Sequence, residues 1–491
     1  MRGKERGERA EKSMKTKVIM DLCFDEGPFY TEIAKRLRDK HGWDVSMLTM
    51  GKRWSKDAES AQLKTLNIGT HIKDSLGKEP LTHERIRRIE EEYGDPFIAS
   101  QVFGDRFFSA NDNRTVIEMA LIQYEYLEKL FDDEKPDVFI IPGVAHALHV
   151  FIERLCKKRG VRYFAFYSPR LLPGLLVSRE YVENWTRVNE RYAEIKKAGL
   201  SDEDRGWAVG KLEEFRSGGG KPYYMKITWP HIGFRFEFLK EFLTRIFRVY
   251  LLGHGGVDDY VTPNPFKSAI ENIGIIFRKY VLKLSNPFEQ AVAGEKYVLF
   301  PLHLQPEAST IIMAPEYVDQ EVFVKNASRS IPLGYYLYVK EHPNMLGKRP
   351  GNYYAKLKEN FNVRLIDPSA DNRKIIDGAE LILNLTGTAG LEGALMKKKV
   401  INCGLPPFRT IPICVDHRDI TTLKDAVSDI MGKPVQTDEE DILAYITAMR
   451  DASHPGFHNL PHKFPSVMES ANIDLVAEAV VDEYRYFTSK E

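Results

Sequence analysis

A histidine followed by a proline stands at the end of an apolar run and is the first candidate for chemistry. Residues 334–343 (GYYLYVKEHP) have the pattern of a buried parallel strand and end in Glu341, His342 and Pro343. Because proline cannot continue a hydrogen-bond ladder, we expect His342 to project from the end of the strand. An imidazole there can donate a hydrogen bond or a charge to a leaving phosphate. A surface histidine satisfied within a turn is the alternative.

A second candidate is a strand that runs into small and hydroxyl residues and then directly into a helix. This segment contains Thr386, Gly387, Thr388 and Gly390. Backbone amides at a helix start bind anions, and glycines let a phosphate approach the backbone. Glu392 follows about one helical turn later, where a carboxylate can accept hydrogen bonds from two ribose hydroxyls. A tight turn with a capping threonine is the alternative, but it accounts for one hydroxyl of the two.

A third group of polar side chains follows the first predicted strand of the same half of the chain. Gln305, Glu307 and Ser309 lie in the segment PLHLQPEAST, directly after KYVLFPL. Open α/β sheets bind ligands at the carboxyl ends of their strands, where the strand order reverses. We therefore expect donor-binding residues here and in the two segments above. A polar loop with a hydroxyl helix cap is the alternative.

The N-terminal half offers carboxylates at the end of its own first strand. Asp25 and Glu26 follow the apolar run KVIMDLC. A carboxylate there would face the donor and could deprotonate an acceptor hydroxyl, so both are candidate catalytic residues beside His342. A solvated turn with a helix-capping acid is the alternative. Arg170, at the end of another strand, is a candidate for binding an anionic acceptor or a sugar carboxylate, with a surface salt bridge as its alternative.

These segments must be positioned by two sets of alternating strands and helices. The alternation occupies residues 14–180 and 296–430 and predicts two parallel, doubly wound α/β domains, the first for the acceptor and the second for the donor. Residues 181–295 have a helical pattern without βαβ units and are expected to form an insertion between the sheets. Residues 431–491 are expected to form helices that pack back across the domain junction, and residues 1–13 a disordered extension.

The segment 231–252 within the insertion combines phenylalanine and leucine on one side with basic residues elsewhere. These are Arg235, Lys240, Arg245 and Arg248. A helix lying on a membrane surface has this pattern. So does a helix packed in the core, because the long stems of arginine and lysine also cover apolar surface.

Composition excludes several classes of protein. The chain has 70 basic and 70 acidic residues, so no global field favours nucleic acid, and its 43% hydrophobic and 29% charged residues are typical of globular proteins. It has no uninterrupted apolar run of about 18 residues, and its charged start lacks the apolar core of a secretory signal. Cys23, Cys156, Cys403 and Cys414 are widely spaced, which predicts reduced thiols and a cytoplasmic location.

The order of four segments resembles the capsule polysaccharide biosynthesis family. The segments are FPLHLQPEAST, VKEHPNMLGKRP, NVRLIDP and TGTAGLEGALMKKKVINCG, within residues 296–410. The resemblance implies a GT-B-like fold, with two Rossmann-type domains facing a cleft, and an activity related to that of bacterial capsule Kdo transferases. Several members of the family use CMP-activated ulosonic acids. The likeness is weaker in the N-terminal half, where Asp105-Arg106 and Ser168-Pro169-Arg170 look familiar but are short.

The resemblance also implies roles for individual residues. His342, Thr386, Gly387 and Thr388 would contact the donor phosphate, and Glu392 the ribose. The run of two acids and a glycine that starts at Asp25 resembles a motif of bacterial sialyltransferases, which also carry a His-Pro motif and use CMP donors. Where many relatives have Gly-Lys-Pro, this chain has three lysines at residues 397–399, in a segment that packs the sheet.

The sequence thus predicts a cytoplasmic GT-B-type glycosyltransferase, with the inner face of a membrane as a further location. It would move a sugar from a nucleotide donor to a growing surface polysaccharide or glycan. No metal-site spacing is apparent in the sequence, so we expect catalysis without a divalent ion or a cofactor. Two alternatives stay open. One is a nucleotide-sugar 2-epimerase, and the other is a non-catalytic, membrane-docked component of polysaccharide assembly that works through residues 231–252.

Overall fold

The fold was analysed in a computed structural model of the 491-residue chain. The structure describes residues 15–22, 26–94, 98–107, 112–182, 184–219, 236–251, 264–409, 412, 414–434, 438–458, 460–461 and 463–490. Asp25, Cys23, the predicted extension 1–13 and the start of the segment 231–252 lie outside these ranges.

Six strands form the first sheet. They are β1 (Lys17–Asp21), β2 (Asp44–Thr49), β3 (Lys64–Asn67), β4 (Val138–Ile141), β5 (Arg162–Tyr167) and β6 (Leu176–Ser178). Their order across the sheet is β3-β2-β1-β4-β5-β6, and every pairing is parallel except that of β5 with β6. The strand order therefore reverses between β1 and β4, which is where an open sheet of this type binds ligands.

Seven helices accompany this sheet. They are α1 (Gly27–His41), α2 (Lys52–Ser60), α3 (Ile68–Ser75), α4 (His83–Tyr93), α5 (Ile98–Phe103), α6 (Asn113–Glu134) and α7 (Ala147–Arg159). Alternate side chains of β1 belong to different cores, because Ile19 packs among residues of α6 and α7 while Val18 and Met20 pack among residues of α1. The sheet is thus covered on both faces, as a parallel sheet requires.

The described part of the region between the sheets is helical. It contains α8 (Thr186–Ala198), α9 (Asp202–Ser217), α10 (Phe236–Ile246), which continues into a π-helical turn (Phe247–Leu251), and α11 (Pro265–Ser285).

The second sheet repeats the order of the first. Its strands are β7 (Tyr297–Pro301), β8 (Tyr336–Lys340), β9 (Val363–Ile366), β10 (Leu381–Asn384), β11 (Lys399–Asn402) and β12 (Cys414–Asp416). All pairings are parallel, in the order β12-β11-β10-β7-β8-β9, so the reversal falls between β7 and β10. Its helices are α12 (Ala308–Ile311), α13 (Gln320–Ser330), α14 (Tyr353–Lys358), α15 (Asn372–Gly378), α16 (Thr388–Leu395) and α17 (Leu423–Met431).

The predicted fold class, two doubly wound α/β domains with helices between them, is confirmed. Sequence analysis missed β3, β6 and β12. These are strands of three or four residues at the sheet edges, too short for a clear periodic pattern in the sequence.

The two domains share packing at several places. The last helix, α19 (Ser470–Thr488), packs against α1 of the first sheet through residues such as Val476 and Val480. Helix α18 (Glu439–Ala452) packs with α8 and α9 in one core that also buries Leu391 and Leu395 of α16. Ile311, at the end of α12, is buried in the core of the first domain. The helix that starts at Thr388 is therefore fixed from both sides of the junction.

Gly404 allows the chain after β11 to approach the end of β10. A Cβ atom on Gly404 would lie 2.8 Å from the Leu385 carbonyl oxygen and 2.9 Å from the Ala314 Cβ. Because backbone would have to move, we expect Gly404→Ala to reduce the free energy of unfolding by about 1–3 kcal/mol. Urea denaturation measures this change.

Gly206, in the middle of α9, is the matched control. A Cβ atom there would meet nothing within 4 Å, so Gly206→Ala should be neutral or stabilise by up to about 1 kcal/mol. Equal unfolding midpoints for the two variants would contradict the close approach at Gly404.

Candidate functional site

Three of the segments singled out in the sequence meet at the reversal point of the second sheet. His303 follows β7, His342 follows β8, and Thr386 follows β10. Since β8, β7 and β10 are parallel neighbours, their carboxyl ends lie side by side. Strand order therefore brings together residues that are up to 83 positions apart in the chain.

Direct contacts join the turn after β10 to the loop after β7. The Thr386 amide donates to Nε2 of His303 at 3.3 Å, and the Thr386 hydroxyl donates to the carbonyl of Ser309 at 2.7 Å. A Cβ atom on Gly387 would lie 3.0 Å from the same histidine nitrogen. A side chain at this position would thus be tight against His303. Buried Thr386 lies beneath the site with its amide and hydroxyl already bound.

His303 is a neutral, fixed part of this floor. Its pKa is lowered to about 3, mainly by burial and in part by the nearby His342 and Arg349. Because an amide donates to Nε2, the neutral ring carries its proton on Nδ1. His303 was present in the segment PLHLQPEAST, but sequence analysis gave it no role.

A buried ion pair organises the end of β8. Nε and Nη2 of Arg349 donate to the two carboxylate oxygens of Glu341 at 3.0 and 3.1 Å. The Tyr354 hydroxyl and the His342 amide donate to the same carboxylate at 2.9 and 2.7 Å. Burial opposes the charge on Arg349, but its hydrogen bonds with Glu341 and the carboxylate charge raise its pKa. Both oxygens of Glu341 therefore have partners inside the protein.

Arg349 also holds the loop after β7. Its Nη1 donates to Oε1 of Gln305 at 2.6 Å, and its Nη2 donates to the carbonyl of His303 at 2.8 Å. On the other side of that loop, the Gln320 side chain accepts from the His303 amide at 2.7 Å. Sequence analysis missed Arg349 and Gln320, because neither stands at the end of a strand.

His342 is placed as a hydrogen-bond donor. Its Nδ1 accepts from the Asn344 amide at 3.2 Å, at the start of the short 3₁₀ helix Pro343–Met345. The neutral ring therefore carries its proton on Nε2. Burial lowers the pKa of His342, while the nearby Glu307 carboxylate acts in the opposite direction. Near neutral pH, this side chain offers an N–H group rather than a fixed charge.

Glu307 and Ser309 lie where the second domain meets the first. Glu307 directly precedes α12, and Ser309 lies within it. The Ser309 hydroxyl donates to Oε2 of Glu307 at 2.8 Å. The guanidinium of Arg106, from the first domain, lies near this carboxylate. Burial lowers the pKa of Arg106, and the charges of Asp105 and Glu307 counteract that shift. A charge of the first domain is thus compensated partly by a carboxylate of the second.

Arg170 reaches the same place from the first domain. It follows β5 of the first sheet, and its Nη1 donates to the Thr386 carbonyl at 3.3 Å. The side chain is half-buried. A cationic group of one domain therefore lies against the turn that opens α16 in the other.

At the start of α16, Gly387 and Thr388 are half-buried. Gly390 serves packing, because a Cβ atom there would lie 2.5 Å from the Asn384 side-chain nitrogen.

One turn along α16, Glu392 is half-buried and lies near Lys340. Burial lowers the pKa of Lys340, and the nearby carboxylates of Asp367 and Glu392 counteract that shift. The lysine Nζ donates to the Pro368 carbonyl at 2.9 Å. The charge of Glu392 thus acts on the amine at the end of β8.

A second polar cluster lies at the reversal point of the first sheet. Asp21 ends β1, and its Oδ2 lies 3.0 Å from Nε2 of His149 in α7, with both side chains fully buried. Since the Ala145 amide donates to Nδ1 of this ring, the proton lies on Nε2 and is donated to Asp21. The His146 ring centroid is 4.2 Å from that of His149. Sequence analysis missed both histidines, although they follow a predicted strand in the run VAHALHV.

Glu26 lies at the carboxyl end of the first sheet, at the N-terminus of α1. Its Oε1 accepts from the Leu460 amide at 3.3 Å. The return segment of the C-terminal helices thus contacts this candidate base, whereas Asp25 is outside the described residues.

Within the described part of the chain, one group of three side chains has the spacing of metal ligands. It consists of His454, Asp482 and Glu483. Arg187 already lies among them, with its Nη1 donating to Asp482 at 2.8 Å and to Glu483 at 2.9 Å. The guanidinium supplies the positive charge that these carboxylates need.

No protein-family model matches the chain, and no curated protein matches it by sequence. Solved structures of similar fold include a β-Kdo 2,4-transferase from Thermosulfurimonas dismutans, with 15% identity, coverage of 64% of this chain and 80% of that one, and a TM-score of 0.37. They also include a UDP-GlcNAc 2-epimerase from Methanocaldococcus jannaschii, with 16% identity, coverage of 89% of this chain and 98% of that one, and a TM-score of 0.26.

A glycosyltransferase from Rickettsia africae has 10% identity, coverage of 97% of this chain and 100% of that one, and a TM-score of 0.26. Since these TM-scores are low, the function proposed below rests on the contacts of this chain alone.

We expect Arg349→Met to reduce the free energy of unfolding by about 3–5 kcal/mol, because Glu341 would be left buried without its cation. Arg418→Met is the matched control. Arg418 pairs with Glu316 at 2.6 Å on the surface, and such pairs contribute about 0–1 kcal/mol. Chemical denaturation separates the two results. A loss of less than 1 kcal/mol for Arg349→Met would show that the pair does not organise the site.

Stability should fall in acid because neutral histidines are buried. Burial lowers the pKa of His303 and of His458 to about 3, whereas an unfolded histidine titrates near about 6.5. Below that value the unfolded chain binds protons that the folded chain excludes. The stabilisation is therefore complete above pH ~6.5 and is lost as the pH falls toward ~3, by up to about 1.4 kcal/mol per unit for each histidine.

Urea unfolding between pH 7.5 and 5 tests this prediction. His303→Gln should reduce the slope of the free energy of unfolding against pH. His83→Gln, at an exposed position, is the control and should leave the slope unchanged. An equal pH dependence of the free energy of unfolding in wild type and His303→Gln would contradict a neutral His303.

Proposed function

We propose that this protein is a GT-B-type glycosyltransferase that binds a nucleotide-activated sugar at the carboxyl ends of β7, β8 and β10. One observation carries the proposal. Three neighbouring parallel strands end in His303, His342 and the turn at Thr386, and Arg170 of the other domain contacts that turn. A site that draws on both domains suits a reaction in which each domain holds one substrate.

The donor phosphate would bind at the start of α16. The amides of Gly387 and Thr388 open a helix that is fixed on both sides of the junction, and helix starts favour anions. His342 supports this placement with an Nε2–H group at the adjacent strand end, and Arg170 with a positive charge. Thr386 and Glu341 would position these groups from below, because their polar atoms are bound inside the protein.

The ribose would bind at Glu392. This carboxylate is half-buried and lies one turn after the helix start proposed for the phosphate, so it could meet the sugar of the same nucleotide. A carboxylate can accept from two hydroxyls, and the positive charge of Lys340 lies near it.

The acceptor would bind on the first domain. Glu26, at the carboxyl end of the first sheet, is the described candidate for the base that removes the acceptor proton, with Asp25 beside it in sequence. Arg170 would also suit a donor sugar that carries a carboxylate, such as an ulosonic acid, since a guanidinium binds carboxylates through paired hydrogen bonds.

The charge that develops on the leaving phosphate would be met by fixed protein groups. These are the α16 amides, His342 and Arg170, which act as preorganised donors. We therefore propose a reaction that needs no divalent ion and no cofactor, in a cytoplasmic enzyme.

Nucleotide binding is the first test, by thermal shift with CMP, UDP, GDP, CDP and dTDP in excess EDTA. A nucleotide at about 100 times its dissociation constant should stabilise the fold by about 2.7 kcal/mol. Glu392→Ala should weaken binding roughly tenfold or more, because hydrogen bonds to a charged group contribute about 1.5–3 kcal/mol. His342→Ala should weaken binding moderately but lower the rate of nucleotide release from the matching sugar donor by orders of magnitude.

The chain offers matched controls. Glu380, at the amino end of β10, and His417, after β12, lie outside the proposed site, so Glu380→Ala and His417→Ala should behave as wild type. Binding that is unchanged in Glu392→Ala would remove this residue from the site. Binding that requires magnesium would contradict the metal-free account, and ring isomerisation of UDP-N-acetylglucosamine would instead assign the site to an epimerase.

A further inference from the structure

An apolar stripe runs along one face of α11. Its members are spaced three or four residues apart, so they share one side of the helix. They are strongly exposed: Phe266 51%, Ile270 72%, Ile273 58%, Phe277 67%, Tyr280 63% and Leu284 71%. The stripe is roughly 27 Å long at 1.5 Å per residue. Soluble monomers rarely expose a contiguous apolar surface of this kind without a function for it.

The opposite face of α11 fixes the direction of the stripe. Ile275 is 5% exposed, and a Cβ atom on Gly347 would lie 2.6 Å from its carbonyl oxygen. The Arg278 Nε donates to the Gly347 carbonyl at 2.6 Å. Because this face packs on the second domain, the stripe points away from the body of the protein.

The preceding helix extends the same surface. The Phe266 ring lies 5.8 Å from that of Phe242 in α10 and 5.9 Å from that of Tyr250 in the π-helical turn. This part adds further exposed apolar side chains: Leu243 55%, Phe247 50%, Tyr250 55% and Leu251 72%. We call these ten exposed residues of α10, the turn and α11 the docking surface.

Basic residues border the docking surface. Residues 236–251 and 264–285 contain seven basic and three acidic residues, a net charge of +4 in a chain whose overall net charge is +0. Lys267 and Lys283 are exposed and lie about 100° to either side of the stripe, given 3.6 residues per turn. These two lysines therefore flank the apolar stripe, in a region with a net positive charge.

We propose that the docking surface lies flat on a membrane that contains anionic lipids. An apolar face with flanking lysines, and aromatic rings such as Tyr250 and Tyr280, is the composition of helices that rest in the headgroup region. Each lysine near an anionic leaflet adds attraction. No helix in the described part of the chain is long and apolar enough to cross a membrane, so the contact is with the surface.

Charge favours a lipid surface over a second copy of the chain. A two-fold interface brings the same patch of each copy together. The positive rims of the two docking surfaces would then face each other and repel, whereas an anionic leaflet neutralises them. The surface lies mostly on α11 and thus extends well beyond the segment 231–252 recognised in the sequence.

Vesicle sedimentation of the full chain tests the proposal. We expect binding to vesicles of phosphatidylcholine with phosphatidylglycerol, and weaker binding to phosphatidylcholine alone. Ile273→Ser with Phe277→Ser should weaken binding by at least about tenfold, since two exposed apolar side chains are removed. Lys267→Gln with Lys283→Gln should weaken binding to the anionic vesicles and leave the neutral ones unchanged.

Leu333→Ser and Phe361→Ser are the matched controls. These side chains are 91% and 83% exposed but lie outside the docking surface, so both variants should bind as wild type. No vesicle binding by wild type, or equal losses for the controls, would overturn the proposal. A dimer that Phe277→Ser converts to monomer, without vesicle binding, would assign the surface to a second copy. Nucleotide binding should be unchanged in every variant, which separates this test from that of the glycosyltransferase site.

Discussion

The site depends on one buried ion pair, between Glu341 and Arg349. Arg349 binds the carboxylate at the end of β8 and, with its remaining donors, the His303 carbonyl and Gln305 after β7. Two loops that leave neighbouring strands are thereby held at a fixed separation. Glu341 in turn fixes the amide of His342. Replacing both partners of such a pair with apolar residues changes stability little, whereas removing one partner leaves a buried charge uncompensated. In this protein the pair holds the geometry of the two loops.

Both histidines of the site are uncharged near neutral pH. His303 is kept uncharged by burial and accepts from the Thr386 amide, so it serves as part of the floor. His342 carries its proton on the nitrogen that its backbone neighbour leaves available. The cations Arg106 and Arg170 come from the other domain. Residues of both domains therefore make up the site, which suits a reaction between two bound substrates.

Strand order decides which sequence motifs become neighbours. The sequence located His342 and the turn at residues 386–388, because each follows an apolar run and precedes a break. Their meeting at the reversal of the second sheet, and the participation of Arg349 and Gln320, depend on how distant strands pair. The same holds for Asp21 and His149 at the reversal of the first sheet. Neither a His-Pro dipeptide nor the composition of the chain shows which distant side chains will contact one another.

The sequence by itself determined the two doubly wound domains, since buried parallel strands must be continuous apolar runs and their helices amphipathic. It also marked the strand ends at which we propose that ligands bind. Only the tertiary structure decided which polar groups are bound within the protein, as for Thr386 and Glu341. It alone decided which apolar faces are left uncovered, as on α11. Periodicity shows that a helix has an apolar side, but burial is a property of what packs against that side.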